Sequence, residues 1–474
     1  MLKHLFTLLM LGALCLTTAC SSVCAKDEAK SKVKYVFVLI GDGFGPNQRA
    51  VAEAAVGKQL VMNSGDVSTH TDTNEIHGWT TDSAASGTAI ACGIKTYNGA
   101  IGVDENKKPV ESLSAALKRE KGFSVGIISS CGLSDATPAA QYAHQEKRSM
   151  RNQIIADLAK SNVDFVGGSL LLHCNTNYIL NDSALPPQEK TYRKTLEDAG
   201  YTIYSGKPVK AALDAEYEII KNNPSVPMNK IYAGCQPYVD WNQKPGADKW
   251  ISIGDYLTFA AESFAITNKN GFFIMLECGW IDHSGHNNDA AWMIREVRAF
   301  DRAVATALEF QAAHPEETLV IVTADHETGG LQIVDPEKLK KNVQLLWNQK
   351  MRKDQIGWRL HDMIKQKKSV DEIVAEIKKL FGFDKFTAEQ LAQIKGMIET
   401  NYAPKNTKIR RIGGGEIAAK VAAWRDEHVG IKYTTGGHSN AKVITNAFGP
   451  GAELFKDPEL KNSTLRSKIE KIMK

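Results

Sequence analysis

Four apolar runs constrain this chain more than any other feature in it. They read YVFVLIGDG (residues 35–43), FSVGIISS (123–130), GFFIMLE (271–277) and TLVIVTADH (318–326), and each ends in glycine, serine or an acidic segment. A strand that is apolar at every position has both faces buried, as parallel strands do when helices cover the sheet on either side. Amphipathic segments such as 294–310 separate the runs. The alternation predicts an α/β fold with a largely parallel central sheet flanked by helices on both sides. Ligands of such sheets bind beyond the carboxyl ends of the strands, which is where the polar residues of this chain cluster.

Between about residues 336 and 430 the pattern changes to Lys-rich helical periodicity without a clear strand. Ser369 with Glu372 and Thr387 with Gln390 both read as capping boxes. Val370, Ile373, Val374, Ile377, Leu380 and Phe381 then share one helical face, as do Leu391, Ile394, Met397 and Ile398 behind the second box. This stretch is expected to be a mainly helical insertion, and its basic residues a solvated face.

The first residues have the order of an export signal. Lys3 and His4 precede an apolar stretch over 5–16, and small residues follow. Cleavage after Ala25 is the favoured reading, leaving residues 26–474 as one catalytic domain. The alternative is lipoprotein processing at Cys20, weakened by Thr17 where the lipoprotein box usually has Leu. No later run is apolar and long enough to span a bilayer. Of the eight cysteines, Cys92, Cys131, Cys174, Cys235 and Cys278 would remain after cleavage, an odd set that cannot all pair. There is no CxxC, and a Cys174–Cys235 disulfide is the less favoured possibility. Cys92 and Cys278 read as buried small hydrophobes. With 58 Lys+Arg against 54 Asp+Glu the net charge is only +4, which argues against a nucleic-acid partner.

The chemistry lies in acids and imidazoles at the strand ends. Asp42 follows the first run, Glu277, Asp282 and His286 form E-x4-D-x3-H after the third, Asp325 and His326 end the fourth, and His438 stands in TTGGHSN. A carboxylate/imidazole set of this kind suits zinc with positions left open to water or substrate. Taken singly each has a structural reading: Asp42 as a turn residue, Asp282 as a helix cap, Asp325 as a strand terminator. GDGFG lacks the Lys-Ser/Thr ending of a phosphate loop, and His326-Glu327 is not continued to HExxH.

The stretch from Thr81 to Thr88, TDSAASGT, changes the weighing. Together with IGDGFG, SDATPAAQYAH, the E-x4-D-x3-H segment, TADHETGG and GGHSN, in that order, it resembles the alkaline phosphatase family over most of the chain. The resemblance implies that Ser83 is a nucleophile that becomes phosphorylated, that Asp82 orients a phosphate-binding arginine, and that this arginine is Arg148. It implies two zinc sites, one of Asp282, His286 and His438 and one of Asp42, Asp325 and His326. A magnesium site would share Asp42 and add Thr137 and Glu277, with Asp135 close by. Residue by residue, Thr137 would otherwise be read as held extended by Pro138, and Asp135 as a turn former.

The activity so implied is hydrolysis of small phosphate monoesters, the two metals lying about 4 Å apart across an in-line displacement. A homodimer in the periplasm, or otherwise exported, is the implied setting. His283 stands where enterobacterial members have Lys, whereas Asp135 matches them, and animal members have His at both places. Trp79 and Trp280 are equally readable as lining the pocket mouth or as core aromatics. The competing functions are a phosphodiesterase or nucleotide-selective phosphatase on the same frame, and a non-catalytic periplasmic metal- or phosphate-binding protein. A sulfatase is disfavoured by the absence of CxPxR.

Overall fold

A computed structural model describes residues 33–65, 67–171, 187–206, 208–235, 237, 239, 251–403 and 410–474. The segment expected to be an export signal, Cys20 and Cys174 lie outside the described residues. Among the described residues thirteen strands follow in chain order: β1 (Tyr35–Gly41), β2 (Val67–Thr71), β3 (Ser124–Ser129), β4 (Phe165–Gly168), β5 (Thr202–Ser205), β6 (Ile231–Gly234), β7 (Phe272–Cys278), β8 (Thr318–Ala324), β9 (Glu327–Thr328), β10 (Gln332–Ile333), β11 (Ile431–Lys432), β12 (His438–Ser439) and β13 (Val443–Phe448). Nine of them form the central sheet in the order β2-β13-β8-β1-β7-β3-β4-β6-β5. Every pairing in it is parallel except those of β13 with β2 and β8.

The four apolar runs become the four adjacent strands β8, β1, β7 and β3 at the middle of this sheet. Their continuous hydrophobicity follows from burial on both sides. In β1, Tyr35, Phe37 and Leu39 join one core with residues of the helices Pro46–Val56, Ile253–Thr267 and Ala290–Ala313. Val36, Val38 and Ile40 point the other way, into a second core with the helices Leu113–Lys121, Arg151–Lys160 and Leu465–Ile472. The period of two along one strand thus feeds two helical layers. The expected helix over 294–310 is a longer one, Ala290–Ala313, because Asp289 caps it by accepting from the Trp292 amide at 3.2 Å.

The 336–430 stretch is helical, with helices Pro336–Asn342, Lys353–Lys365, Val370–Phe381, Ala388–Glu399 and Gly414–Val429, and no strand among its described residues. Both expected capping boxes are formed, Ser369 with Glu372 and Thr387 with Gln390. The last four of these helices enclose a core of their own, which includes Leu360, Ile377, Phe381, Ile394 and Val421. Among the described residues no helix is long and apolar enough to cross a membrane.

Candidate active site

The site is built where β3, β7, β1 and β8 end. Parallel pairing brings Gly41 level with Cys278 of β7 and Ala324 of β8, so Asp42 and Asp325 leave neighbouring strands at the same height. Glu277 lies opposite Ile40 on one side and Ser129 on the other. The chain then turns at Gly43, whose φ of +70° suits glycine, and a Cβ there would stand 2.7 Å from the Asp282 Cα. That approach lets the β1 loop meet the short helix Trp280–His286, which carries Asp282 and His286.

Two groups of three result. In one, Asp42, Asp325 and His326 are buried, with ligating atoms within 4.8 Å of one another; in the other, Asp282, His286 and His438 meet the same limit. His326 Nε2 lies 3.2 Å from Asp325 Oδ2 and 3.5 Å from Asp42 Oδ1. His286 Nε2 is 3.3 Å from Asp282 Oδ2, and His438 Nε2 is 3.6 Å from Asp282 Oδ1. The remaining ring nitrogens of the second group are tied to backbone carbonyls, His286 Nδ1 to Gly436 at 2.7 Å and His438 Nδ1 to Thr81 at 2.9 Å. The His326 and His438 rings stack between the groups at 3.6 Å.

Ser83 opens the helix Ser83–Cys92, and Asp82 caps it by accepting from the Ala85 amide at 2.9 Å. The capping reading of this segment therefore belongs to Asp82. Ser83 is left with its Oγ 3.2 Å from His326 Nε2. Arg148 reaches the same place from another loop, with Nη1 3.3 Å from Asp82 Oδ2 and Nη2 3.0 Å from Asp135 Oδ1. Its guanidinium is held by two carboxylates, one on each arm, while the side chain remains 36% exposed and so accessible to a ligand. Thr137 is helical rather than extended, within Ala136–Ala139, and Gly87 lets the Ser83 helix approach it, since a Cβ there would lie 3.2 Å from the Thr137 Cα.

The electrostatics are those of an excess of buried acids. Burial first, then the charges of Asp325, Asp282 and Glu277, pushes the Asp42 carboxyl well up, and burial with Asp282 does the same to Asp325. Burial raises Glu277 to about 7 against the hydrogen bond it accepts from the Ser129 hydroxyl. Burial also disfavours charge on Asp135, but Arg148 and Arg151 outweigh it and hold that carboxyl below its usual range. Burial, then His438, keeps His326 neutral. The hydrogen bond to Asp282 raises His286 to about 9. Asp42 Oδ1, Asp325 Oδ2 and Thr137 Oγ1 are buried with no hydrogen-bond partner among the described residues. Buried oxygen donors left unpartnered beside like charges are what a divalent cation would satisfy, so the residues present fit bound metal.

Of the remaining expected site residues, His283 packs its ring 4.9 Å from that of Trp280 and belongs to neither group of three. Trp280 is 7% exposed and donates from Nε1 to the Ser130 carbonyl at 2.9 Å, whereas Trp79 is 70% exposed. Two residues escape sequence reasoning. Ser129 orients Glu277, and Thr328 touches both groups, donating to Asp282 Oδ1 at 2.5 Å and lying 3.2 Å from His326 Nδ1. Both stand near a strand end, as many structural Ser and Thr residues do, and although Thr328 lies within TADHETGG, nothing in that motif marks its hydroxyl as touching both groups.

A sequence profile described as alkaline phosphatase matches residues 33–170 and 252–473. "Alkaline phosphatase 4" of Bacillus subtilis is 28% identical over 471 residues, covering 95% of this chain and 91% of its own. Among solved structures, a cold-active alkaline phosphatase from Shewanella sp. superposes with a TM-score of 0.71 at 24% identity, covering 93% of this chain and all of its own. A histidine-to-aspartate variant of the TAB5 alkaline phosphatase, described with Mg bound in its M3 site, gives 0.58 at 24% identity over 94% of this chain and 98% of its own.

Proposed function

This chain belongs to the alkaline phosphatase family, and from that premise we propose that it hydrolyses phosphate monoesters through a phosphoserine formed on Ser83. The observation that carries the reading is the placement of Ser83 Oγ, at the start of a helix and 3.2 Å from His326 Nε2, with the Arg148 fork fixed beside it by Asp82 and Asp135. Asp42, Asp325 and His326 would hold one zinc ion and Asp282, His286 and His438 another. The oxygen donors Asp42, Thr137 and Glu277, with Asp135 nearby, would hold magnesium, in keeping with the Mg described for the TAB5 variant. When bound, these ions supply Lewis-acid stabilisation to the attacking and leaving oxygens.

The chain's own residues account for the rest. The dipole at the start of the Ser83–Cys92 helix favours the phosphate dianion. Arg148 takes two non-bridging oxygens in its planar fork, which a lysine would hold only as a point charge. Asp82 both caps the helix and pairs with Arg148, so nucleophile and phosphate clamp share one positioning carboxylate. Ser83 Oγ gives up its proton to solvent water and bonds to phosphorus as the ester P–O bond breaks, and the alcohol leaves with a proton taken back from that water. Water then attacks the phosphoserine, releasing inorganic phosphate and returning a proton to Ser83. Export and a homodimeric assembly belong to the same proposal.

The test is hydrolysis of p-nitrophenyl phosphate and bis(p-nitrophenyl) phosphate at alkaline pH, after chelation and again after return of zinc and magnesium. A metal-restored rate far higher on the monoester is expected. A diester preference would overturn the assignment in favour of a phosphodiesterase.

A further inference from the structure

The loop after β8 passes between the two groups, and Thr328 is the residue at which it crosses. Thr328 is fully buried and stands opposite His438 in the β9–β12 pair. Its amide donates to the Gly43 carbonyl at 3.2 Å, and its own carbonyl accepts from Gln48 Nε2 at 2.8 Å. A Cβ at Gly43 would lie 2.9 Å from its Oγ1, and one at Gly285 would lie 3.0 Å from its Cβ and Cγ2. Backbone bonds on both sides, glycine walls and a β-branched side chain leave the hydroxyl one place to be.

A threonine hydroxyl has one proton to donate and lone pairs to accept with. The 2.5 Å contact to Asp282 Oδ1 takes the proton, because a carboxylate only accepts. The 3.2 Å contact to His326 Nδ1 must then run the other way, from ring N–H to hydroxyl oxygen. With the proton on Nδ1, Nε2 carries a lone pair toward Asp325, Asp42 and Ser83. His438 stacked on the same ring keeps its plane from turning.

We propose that Thr328 is a positioning residue that couples the two carboxylate/imidazole groups through one hydroxyl, orienting Asp282 in one and fixing the Nε2-ligating tautomer of His326 in the other. The inference rests on the reading that these groups hold metal. Partners that orient ligands in this way commonly govern affinity by about 10- to 100-fold.

The test uses the full chain as wild type, Thr328→Val and Thr328→Ser, with zinc affinity measured by competition against a chromophoric chelator. Valine keeps the shape and removes the hydroxyl, and is expected to weaken zinc binding about 10- to 100-fold, while serine stays within about threefold of wild type. A valine variant within threefold of wild type would overturn the proposal. The second measurement needs no variant to fold: long-range ¹H–¹⁵N correlation of the metal-free wild type at pH 8 should place the His326 proton on Nδ1. A proton on Nε2 would sink the coupling. Were the wild type to take up no zinc, the metal reading would fail while the tautomer measurement still decided the role of Thr328.

Discussion

The two groups of three differ in what holds them. Asp42, Asp325 and His326 follow β1 and β8, two adjacent strands in register at the centre of the sheet, and all three are buried. Asp282 and His286 stand on a seven-residue helix and His438 on a two-residue strand, and the His286 side chain is 39% exposed. Sheet hydrogen bonding fixes the first group before any ligand arrives, at the cost of crowding like charges in low dielectric. The second is assembled from a short helix and a short strand, is more open to solvent, and sets its single carboxylate against two imidazoles instead of further acids. Under the proposed function, a rigid, acid-rich half suits holding Ser83 as nucleophile, and an open half suits admitting a departing alcohol and incoming water.

The sharpest way to break this comparison is to remove the group that the buried half serves. Ser83→Ala should lower kcat on p-nitrophenyl phosphate by about 10³-fold or more while zinc content, measured by elemental analysis, stays at the wild-type value. Unchanged turnover would detach Ser83 from the buried half altogether.

Next in size is the pH dependence of the metal-free protein. The Glu277 pKa is raised to about 7 by burial, so its contribution to stability is present below the ordinary carboxylate range and lost as pH rises through 7. Glu277 alone should account for about 3 kcal/mol between pH 4.5 and 7, and Asp42 and Asp325 shift in the same direction. His286 is raised to about 9, so its contribution is lost in a later window, between about pH 6.5 and 9. Urea midpoints in chelator should therefore fall from pH 5 to pH 8, and zinc with magnesium should restore the midpoint at pH 8. A flat profile would remove the electrostatic contrast between the halves.

His286→Ala should cost less than loss of the nucleophile, about 10- to 100-fold in kcat/KM, and added zinc should recover part of it because the open group keeps two ligands. Equal and unrescuable loss would mean the halves are not separable. The smallest effect is expected at the exposed Trp79, on the reading that it lines the pocket mouth. Trp79→Ala should raise KM for p-nitrophenyl phosphate about threefold and leave an alkyl phosphate unchanged, as loss of one aromatic contact would.

The middle of the fold was legible because four strands buried on both faces have no other way to be written than as continuous apolar runs. The outer strands were not. β4, β5 and β6 are four residues each, too short for a periodicity to emerge, and β13 reads VITNAF with Asn446 buried where a polar residue argues against a central strand. Asn446 is tolerated there because it accepts from Arg49 Nη1 at 2.5 Å and donates to the Val67 carbonyl, partners about 400 and 380 residues away along the chain. The capping boxes were readable since a box is a contact between residues three apart. Ser129 and Thr328 were not, since their partners are fixed by strand pairing and loop crossing.

The amino-acid sequence by itself determined the α/β class, the helical stretch before His438, the family, and which acids and imidazoles are available for chemistry. All of these rest on local pattern or on the order of short motifs. Only the tertiary structure decided that the nine residues expected to hold metal lie around one strand-end site, two sets of three of them as compact groups, one buried and one open. It also placed Arg148 between Asp82 and Asp135 and set one threonine hydroxyl across both groups. The physical reason is that register between strands, burial and the direction of a single proton are properties of contacts between segments distant in sequence, and no one of those segments carries them alone.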